Sequence, residues 1–183
     1  IKKFNSSITF IGDKSLTHRG FLIASQCRGI SRLKAVLESE DIKSTIQCLK
    51  KLGVKIIKKN KEYLVFGNGL NSFISPKTKR LNAGNSGTLV RILMGLLATH
   101  PNIRVKINGD SSLNKRDMAR IINPLSKIGC IFIPKNKKNL PLLVQGTSMP
   151  LAQNHIENLG SGQVKSGIQM AALNTPGITT IEE

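Results

Sequence analysis

Apolar residues recur along this chain with two different periods, and the switching between them predicts strands alternating with helices. Ser7-Ile8-Thr9-Phe10-Ile11 alternates as a half-buried strand does and stops at Gly12. A polar stretch from Gly12 to Arg19 then leads into apolar Gly20-Phe21-Leu22-Ile23-Ala24, which predicts a loop opening a helix, with Lys14 and Ser15 at the helix N-terminus and Arg19 about one turn inside. Ser39-Glu40-Asp41 caps a helix with Ile42, Ile46 and Leu49 on one face, and Gly53 closes it. Strands follow at Val54–Ile57 and Tyr63–Phe66, around a solvated turn at Lys58–Lys61. Asn82 to Arg91 is again polar and glycine-rich, and it runs into Ile92–Ala98, the longest apolar run in the chain. A strand at Ile103–Ile107, a loop from Asn108 to Arg116 and a helix opened by Asp117 come next. That helix keeps Met118, Ile121, Ile122, Leu125 and Ile128 on one side and ends at Gly129, with Pro124 expected to kink it or weaken one turn. Strands Cys130–Ile133 and Leu142–Val144 flank the lysine turn Lys135–Lys138. Finally Gly160–Ser166 opens a helix over Gly167–Leu173, with a strand at Ile178–Ile181.

These elements repeat. Asp41, Ile46, Leu49, Lys51 and Gly53 align with Asp117, Ile122, Leu125, Lys127 and Gly129 at one constant offset, and Gly67 follows its hairpin as Gly146 follows the second. The unit is strand, loop-opened helix, strand, capped helix, hairpin, with a period of roughly 75 residues. The expected division is 12–80, 81–150 and 151–183, with 1–11 a strand leading in from a partner domain outside this chain. The third unit stops before its second helix and hairpin, so the expectation is a truncated domain; the alternative is that the third helix and strand simply finish the fold.

The loops that open the first helix of each unit carry the candidate chemistry. Asn82-Ala83-Gly84-Asn85-Ser86-Gly87-Thr88 can bring backbone N–H groups close to a ligand at a helix start, where the dipole favours an anion. Arg91 lies one turn beyond Thr88, so both can face one oxyanion. The plainer reading is a capped helix after a glycine turn. In the first unit Lys14, Ser15 and Arg19 occupy the same place, and a cation at the positive end of a helix gains nothing from the dipole unless an anion joins it. The third unit offers Ser161, Gln163 and Lys165. Three equivalent helix starts in a three-fold repeat can converge on one site, suited to a compact ligand with more than one phosphate or carboxylate.

Composition narrows the classes. The formal net charge of +18 favours anionic partners, but it rests on lysine in a chain also rich in Asn and Ile. Trp is absent and there is one Tyr, which argues against a base-stacking nucleic-acid platform. Cys27, Cys48 and Cys130 are odd in number and form no C-x-x-C pair, so neither disulfides nor zinc is expected. His18, His100 and His155 are scattered without ligand spacing, and no metal is expected. The apolar run Ile92–Ala98 is too short to span a bilayer and nothing resembles a signal segment, which fits a cytoplasmic protein.

Four motifs in order, Gly12-Asp13-Lys14-Ser15…His18-Arg19, Asn85-Ser86-Gly87-Thr88…Arg91, Gly109-Asp110-Ser111-Ser112-Leu113…Arg116-Asp117-Met118 and Ser161-Gly162-Gln163-Val164-Lys165-Ser166, resemble those of the 5-enolpyruvylshikimate-3-phosphate synthase family over nearly the whole chain. The resemblance implies an α/β fold of repeated βαβαββ units, an inside-out α/β barrel, with the third unit incomplete. It implies transfer of the enolpyruvyl group of phosphoenolpyruvate to the 5-hydroxyl of shikimate 3-phosphate, on the route to chorismate and the aromatic amino acids, without a cofactor. Carried over, Lys14, Ser15, Arg19, Thr88, Ser161 and Gln163 would hold shikimate 3-phosphate. Lys14, Asn85, Gly87, Arg116 and Gln163 would line the phosphoenolpyruvate side, with Lys14 and Arg116 catalytic. Glyphosate would compete there, and the full-length protein would be a monomer. Gly162 departs from the family, which commonly has Ser or Ala, so one contact to the substrate phosphate is not expected here. The family's acid and base carboxylates lie in a part not present, so the 183 residues alone are expected to bind poorly and not to turn over. The alternatives are the related UDP-N-acetylglucosamine enolpyruvyl transferase, which typically has Asn where this chain has Ser15, and a basic RNA-binding module on the same scaffold.

Overall fold

The computed structural model describes residues 12–156 and 160–182; the strand expected over Ser7–Ile11 and the expected lead-in segment 1–11 lie outside the described residues. The first unit contains α1 (Lys14–Gln26), β1 (Arg28–Leu33), α2 (Glu40–Lys51), β2 (Lys55–Lys59) and β3 (Glu62–Asn68). The second contains β4 (Arg80–Asn82), α3 (Gly87–Ala98), β5 (Arg104–Asn108), α4 (Ala119–Ile128), β6 (Ile131–Ile133) and β7 (Leu142–Gln145). The third contains β8 (Asn154–Ile156), α5 (Gly162–Ala172) and β9 (Thr180–Glu182).

The sheets carry the same repeat. One runs β1-β3-β2 and is antiparallel; the second runs β4-β5-β7-β6, with β4 and β5 parallel and the rest antiparallel; the third pairs β8 with β9 in parallel. Thus β1, β3 and β2 correspond to β5, β7 and β6, and β4–β5 corresponds to β8–β9. Even the close contacts recur. A Cβ on Gly67 would lie 2.4 Å from the Ala24 carbonyl oxygen, and one on Gly146 would lie 2.4 Å from that of Leu97. Only glycine lets strands β3 and β7 run this close to the ends of α1 and α3.

Helix α3 is apolar on nearly every side because it sits at the centre, against α1, α2, α4 and α5. Leu89, Val90, Ile92, Met94 and Leu97 are all fully buried. Its tightest contact is with α5, where a Cβ on Gly95 would fall 1.9 Å from the Gly167 carbonyl oxygen. This backbone-to-backbone approach sets how far the two helices can slide, and so places their N-terminal turns relative to each other.

Helix α1 begins at Lys14, as expected from the sequence, with Arg19 just over one turn inside it, because the Asp13 carboxylate accepts the Leu16 N–H at 2.7 Å and caps the helix. Strands β1, β4 and β8 carry no clear apolar alternation; β1 is exposed along most of its length and exists through pairing with β3. Helix α4 continues past Pro124, which it holds inside its length, and the Pro124 carbonyl accepts the Gln153 side-chain amide at 3.0 Å.

Candidate active site

The inner helices α1, α3 and α5 begin alike. Asp13, Ser86 and Ser161 are their caps, accepting the N–H groups of Leu16, Leu89 and Val164. In each helix the residue five past its cap makes a polar contact with another inner helix or its cap: His18 on α1, Arg91 on α3 and Ser166 on α5. His18 meets Ser86 of α3, Arg91 meets Gln163 of α5, and Ser166 meets Arg19 of α1. The three helix starts are therefore joined in a closed ring of polar contacts.

At the α3–α5 junction, Arg91 Nη1 donates to Gln163 Oε1 at 2.8 Å, and Gln163 Nε2 donates to Thr88 Oγ1 at 3.0 Å. Arg91 and Gln163 border a cleft of about 370 Å³ lined also by Asp117, Arg120, Ser161 and Gly162. Arg116 donates to Asn85 Oδ1, while Asn85 Nδ2 donates to Asp110 Oδ2 at 2.7 Å. Gly87 lies under both arginines: a Cβ there would meet Arg91 Nη1 at 2.8 Å and Arg116 Nη1 at 3.2 Å. Burial, and then the positive charges of Arg116 and Arg120, push the Arg91 guanidinium below its ordinary value, with Asp117 opposing them. Arginine stays charged under these pressures, so the crowding is positive potential that an anion relieves. Asp110 is held below the usual carboxylate range, first by the Leu113 N–H and further by Asn85 and Arg116, which makes it a poor base.

On the α1 side, Arg19 ties the ring shut. Its Nη2 donates to Gly162 O at 3.0 Å and to Ser166 Oγ at 2.9 Å, and its Nη1 donates to the Ser15 carbonyl at 3.1 Å. Gly162 thus serves through its backbone oxygen, and the space where a side chain would stand faces Arg19, 3.8 Å from a built Cβ. Lys14 does not border the Arg91–Gln163 cleft: its ammonium is paired with Asp41 Oδ2 at 3.1 Å, half exposed. Of the residues singled out in the sequence, Ser161 and Gln163 gather with Arg91 at the cleft, Thr88 is tied to it through Gln163, Asn85, Gly87 and Arg116 lie beside Arg91, and Arg19 joins α5 to the Ser15 carbonyl. Two partners were not singled out, Asp41 and His18. Aligning the helices by their caps would have found His18, since it stands where Arg91 stands in the next repeat.

Among the described residues no cluster of His, Cys, Asp and Glu could hold a metal ion, and no helix is long and apolar enough to cross a membrane. Cys48 and Cys130 are buried, and burial pushes both thiols up to about 12. They are packing residues, not nucleophiles.

The architecture defines an α/β domain assembled from βαβαββ repeats whose first helices are joined at their starts by a ring of polar contacts, with a cationic cleft between α3 and α5. The model of the EPSP synthase (3-phosphoshikimate 1-carboxyvinyltransferase) family matches residues 1–183, and the chain belongs to that family. It is 39% identical over 94% of its length to the 3-phosphoshikimate 1-carboxyvinyltransferase of Paramagnetospirillum magneticum, and 41% identical over 92% to that of Oenococcus oeni. It spans 38% of the length of each of these two relatives. The EPSP synthase structure from Acinetobacter baumannii superimposes with a TM-score of 0.89 at 34% identity, over 96% of this chain and 40% of that one.

Proposed function

We propose that this chain supplies a cationic side of the site in which the enolpyruvyl group of phosphoenolpyruvate passes to the 5-hydroxyl of shikimate 3-phosphate, releasing phosphate. The observation that carries this reading is the Arg91–Gln163–Thr88 bridge beside Arg116, where the starts of α3 and α5 and the guanidinium groups of Arg91 and Arg120 face one cleft against the single carboxylate of Asp117. Shikimate 3-phosphate is assigned to Lys14, Ser15, Arg19, Thr88, Ser161 and Gln163. Phosphoenolpyruvate is assigned to Asn85, Gly87, Arg116 and Gln163, together with Lys14.

Addition of the hydroxyl to the enol carbon needs a proton on the methylene carbon and passes through a tetrahedral ketal that keeps both carboxylate and phosphate. Arg116 and Lys14 are assigned to neutralise that charge, and Lys14, paired with Asp41 at 3.1 Å, would have to exchange Asp41 for the ligand. Asp110 and Asp117 are engaged by the N–H groups of Leu113 and Ala119, so this chain is assigned binding and charge neutralisation and not proton transfer. A side chain at Gly87 would enter the space beside both guanidinium groups, and this is where glyphosate would compete with phosphoenolpyruvate. On the same reading the repeat units divide near residues 80 and 150, and the protein acts in the cytoplasm as a monomer.

Thermal unfolding tests this. Shikimate 3-phosphate should raise Tm saturably, by mass action on the folded state, and an Arg19→Ala variant should lose the effect. A rise with UDP-N-acetylglucosamine and none with shikimate 3-phosphate would move the assignment to the related transferase. A shift seen only with RNA, and lost steeply with salt, would mark a nucleic-acid module.

A further inference from the structure

His18 is fully buried between three helices. Its Nδ1 lies 2.7 Å from Thr45 Oγ1 on α2 and its Nε2 lies 3.3 Å from Ser86 Oγ, the cap of α3. The proton positions follow from the neighbours. In the arrangement that gives every donor an acceptor, the Thr45 hydroxyl donates to the Asp41 carbonyl oxygen, 3.2 Å away, and accepts from His18 Nδ1–H. A neutral imidazole then offers Nε2 as acceptor, and Ser86 donates its hydroxyl to it while accepting the Leu89 N–H at 3.2 Å. Every donor in this chain has one acceptor. Burial is the main reason that the imidazole is pushed down to about 4; Asp41 opposes this, and Lys14 and Arg19 add to it. Between them His18 Nε2 and the Leu89 N–H orient the Ser86 hydroxyl, and Ser86 immediately precedes Gly87 and Thr88.

We propose that His18 is the positioning residue of the α3 anion loop, acting through the Ser86 cap to hold Asn85, Gly87 and Thr88 in their binding arrangement. This rests on the assignment of that loop to phosphoenolpyruvate. Its place in the ring explains the choice of residue: Arg91 in the same position of the next repeat keeps donors turned to a cleft, whereas His18 spends both nitrogens on its neighbours.

Two substitutions separate positioning from bulk stability. In His18→Gln the side-chain amide falls where Nε2 lies and keeps an acceptor for Ser86; in His18→Asn it falls where Nδ1 lies and keeps only the Thr45 contact. Amide hydrogen exchange of the 183-residue protein should show Leu89 exchanging about tenfold faster in His18→Asn than in His18→Gln, with the caps of α1 and α5, read at Leu16 and Val164, unchanged. Phosphoenolpyruvate affinity, followed at the Gly87 and Thr88 amide signals, should fall about tenfold in His18→Asn and stay within about twofold in His18→Gln. The ¹⁵N shifts of the wild-type ring should show Nδ1 protonated and Nε2 bare at neutral pH.

The proposal fails if both variants lose Leu89 protection equally and in step with Tm, or if the ring carries its proton on Nε2. It also fails if wild type binds phosphoenolpyruvate and His18→Asn binds it as well. Should wild type not bind phosphoenolpyruvate while the exchange pattern holds, the functional assignment fails and the positioning role stands.

Discussion

The junction between α1 and α3 and the junction between α3 and α5 are two copies of one design with opposite chemistry. Both are made by the residue five past a helix cap, in polar contact with the next inner helix or its cap. In the first copy that residue is His18, fully buried, neutral and satisfied at both nitrogens. In the second it is Arg91, half-buried and charged, in contact with Gln163 and with the Asp117 carbonyl and crowded by Arg116 and Arg120. A repeat needs each junction to close, but only one has to stay open to ligand. A neutral ring that exhausts its hydrogen bonds makes a sealed joint, whereas a guanidinium with five donors closes the joint and still has capacity for an anion.

The largest blow to the comparison is to separate α3 from α5. Gly95→Ala drives a methyl into the Gly167 backbone, which cannot yield as a side chain does, and should cost about 3 kcal/mol or more in urea unfolding. If Gly95→Ala is as stable as wild type, the backbone contact does not fix the cleft.

Acid should strike the sealed joint of α1 and α3. His18 and His100 both have folded values lowered from 6.5 to about 4, so the unfolded chain binds more protons between those limits. The associated stability is fully present above about 6.5 and is lost as pH falls toward 4, by on the order of 3 kcal/mol per histidine. His100 provides an internal reference: it is buried against Phe73, whose N–H it accepts at 2.9 Å, away from the site. His18→Gln should remove about half of the slope; an unchanged slope would mean that His18 titrates normally.

Arg91 should behave in the converse way. Arg91→Gln is expected to lower shikimate 3-phosphate affinity about tenfold, while Tm changes little because the residue is not sealed in the core. Equal losses of binding and stability would erase the distinction between the joints. The smallest effect is expected at Asp41. Its pair with Lys14 is partly exposed, so Asp41→Asn should alter stability by less than about 1 kcal/mol. By releasing Lys14 it should strengthen anion binding a little, and weaker binding would mean that the pair holds Lys14 in its working position.

Much of this was legible in the sequence because it is local. Caps such as Ser39, the 3.6-residue spacing of Ile42, Ile46 and Leu49, and the matched residues of the second repeat depend on neighbours within a few turns. The family could be read for the same reason, since its motifs are contiguous loops and helix starts. The start of α1 at Lys14 was legible for the same local reason, since its cap Asp13 is the adjacent residue. Strands β1, β4 and β8 were not legible, being short or largely exposed and defined only by their partners.

By itself, then, the sequence determined the repeat, the helices with their caps and the cationic residues at each helix start, since these follow from spacing and side-chain chemistry along the chain. Tertiary structure alone decided which of those cations meet. It set Arg91 against Gln163, turned Lys14 to Asp41 and closed Arg19 onto α5, contacts spanning 72, 27 and 147 positions. It also decided that the same repeat position is a buried neutral imidazole in one copy and a charged cleft residue in the next. Burial and the neighbouring hydroxyls make that difference, and neither is a property of the chain until its helices pack.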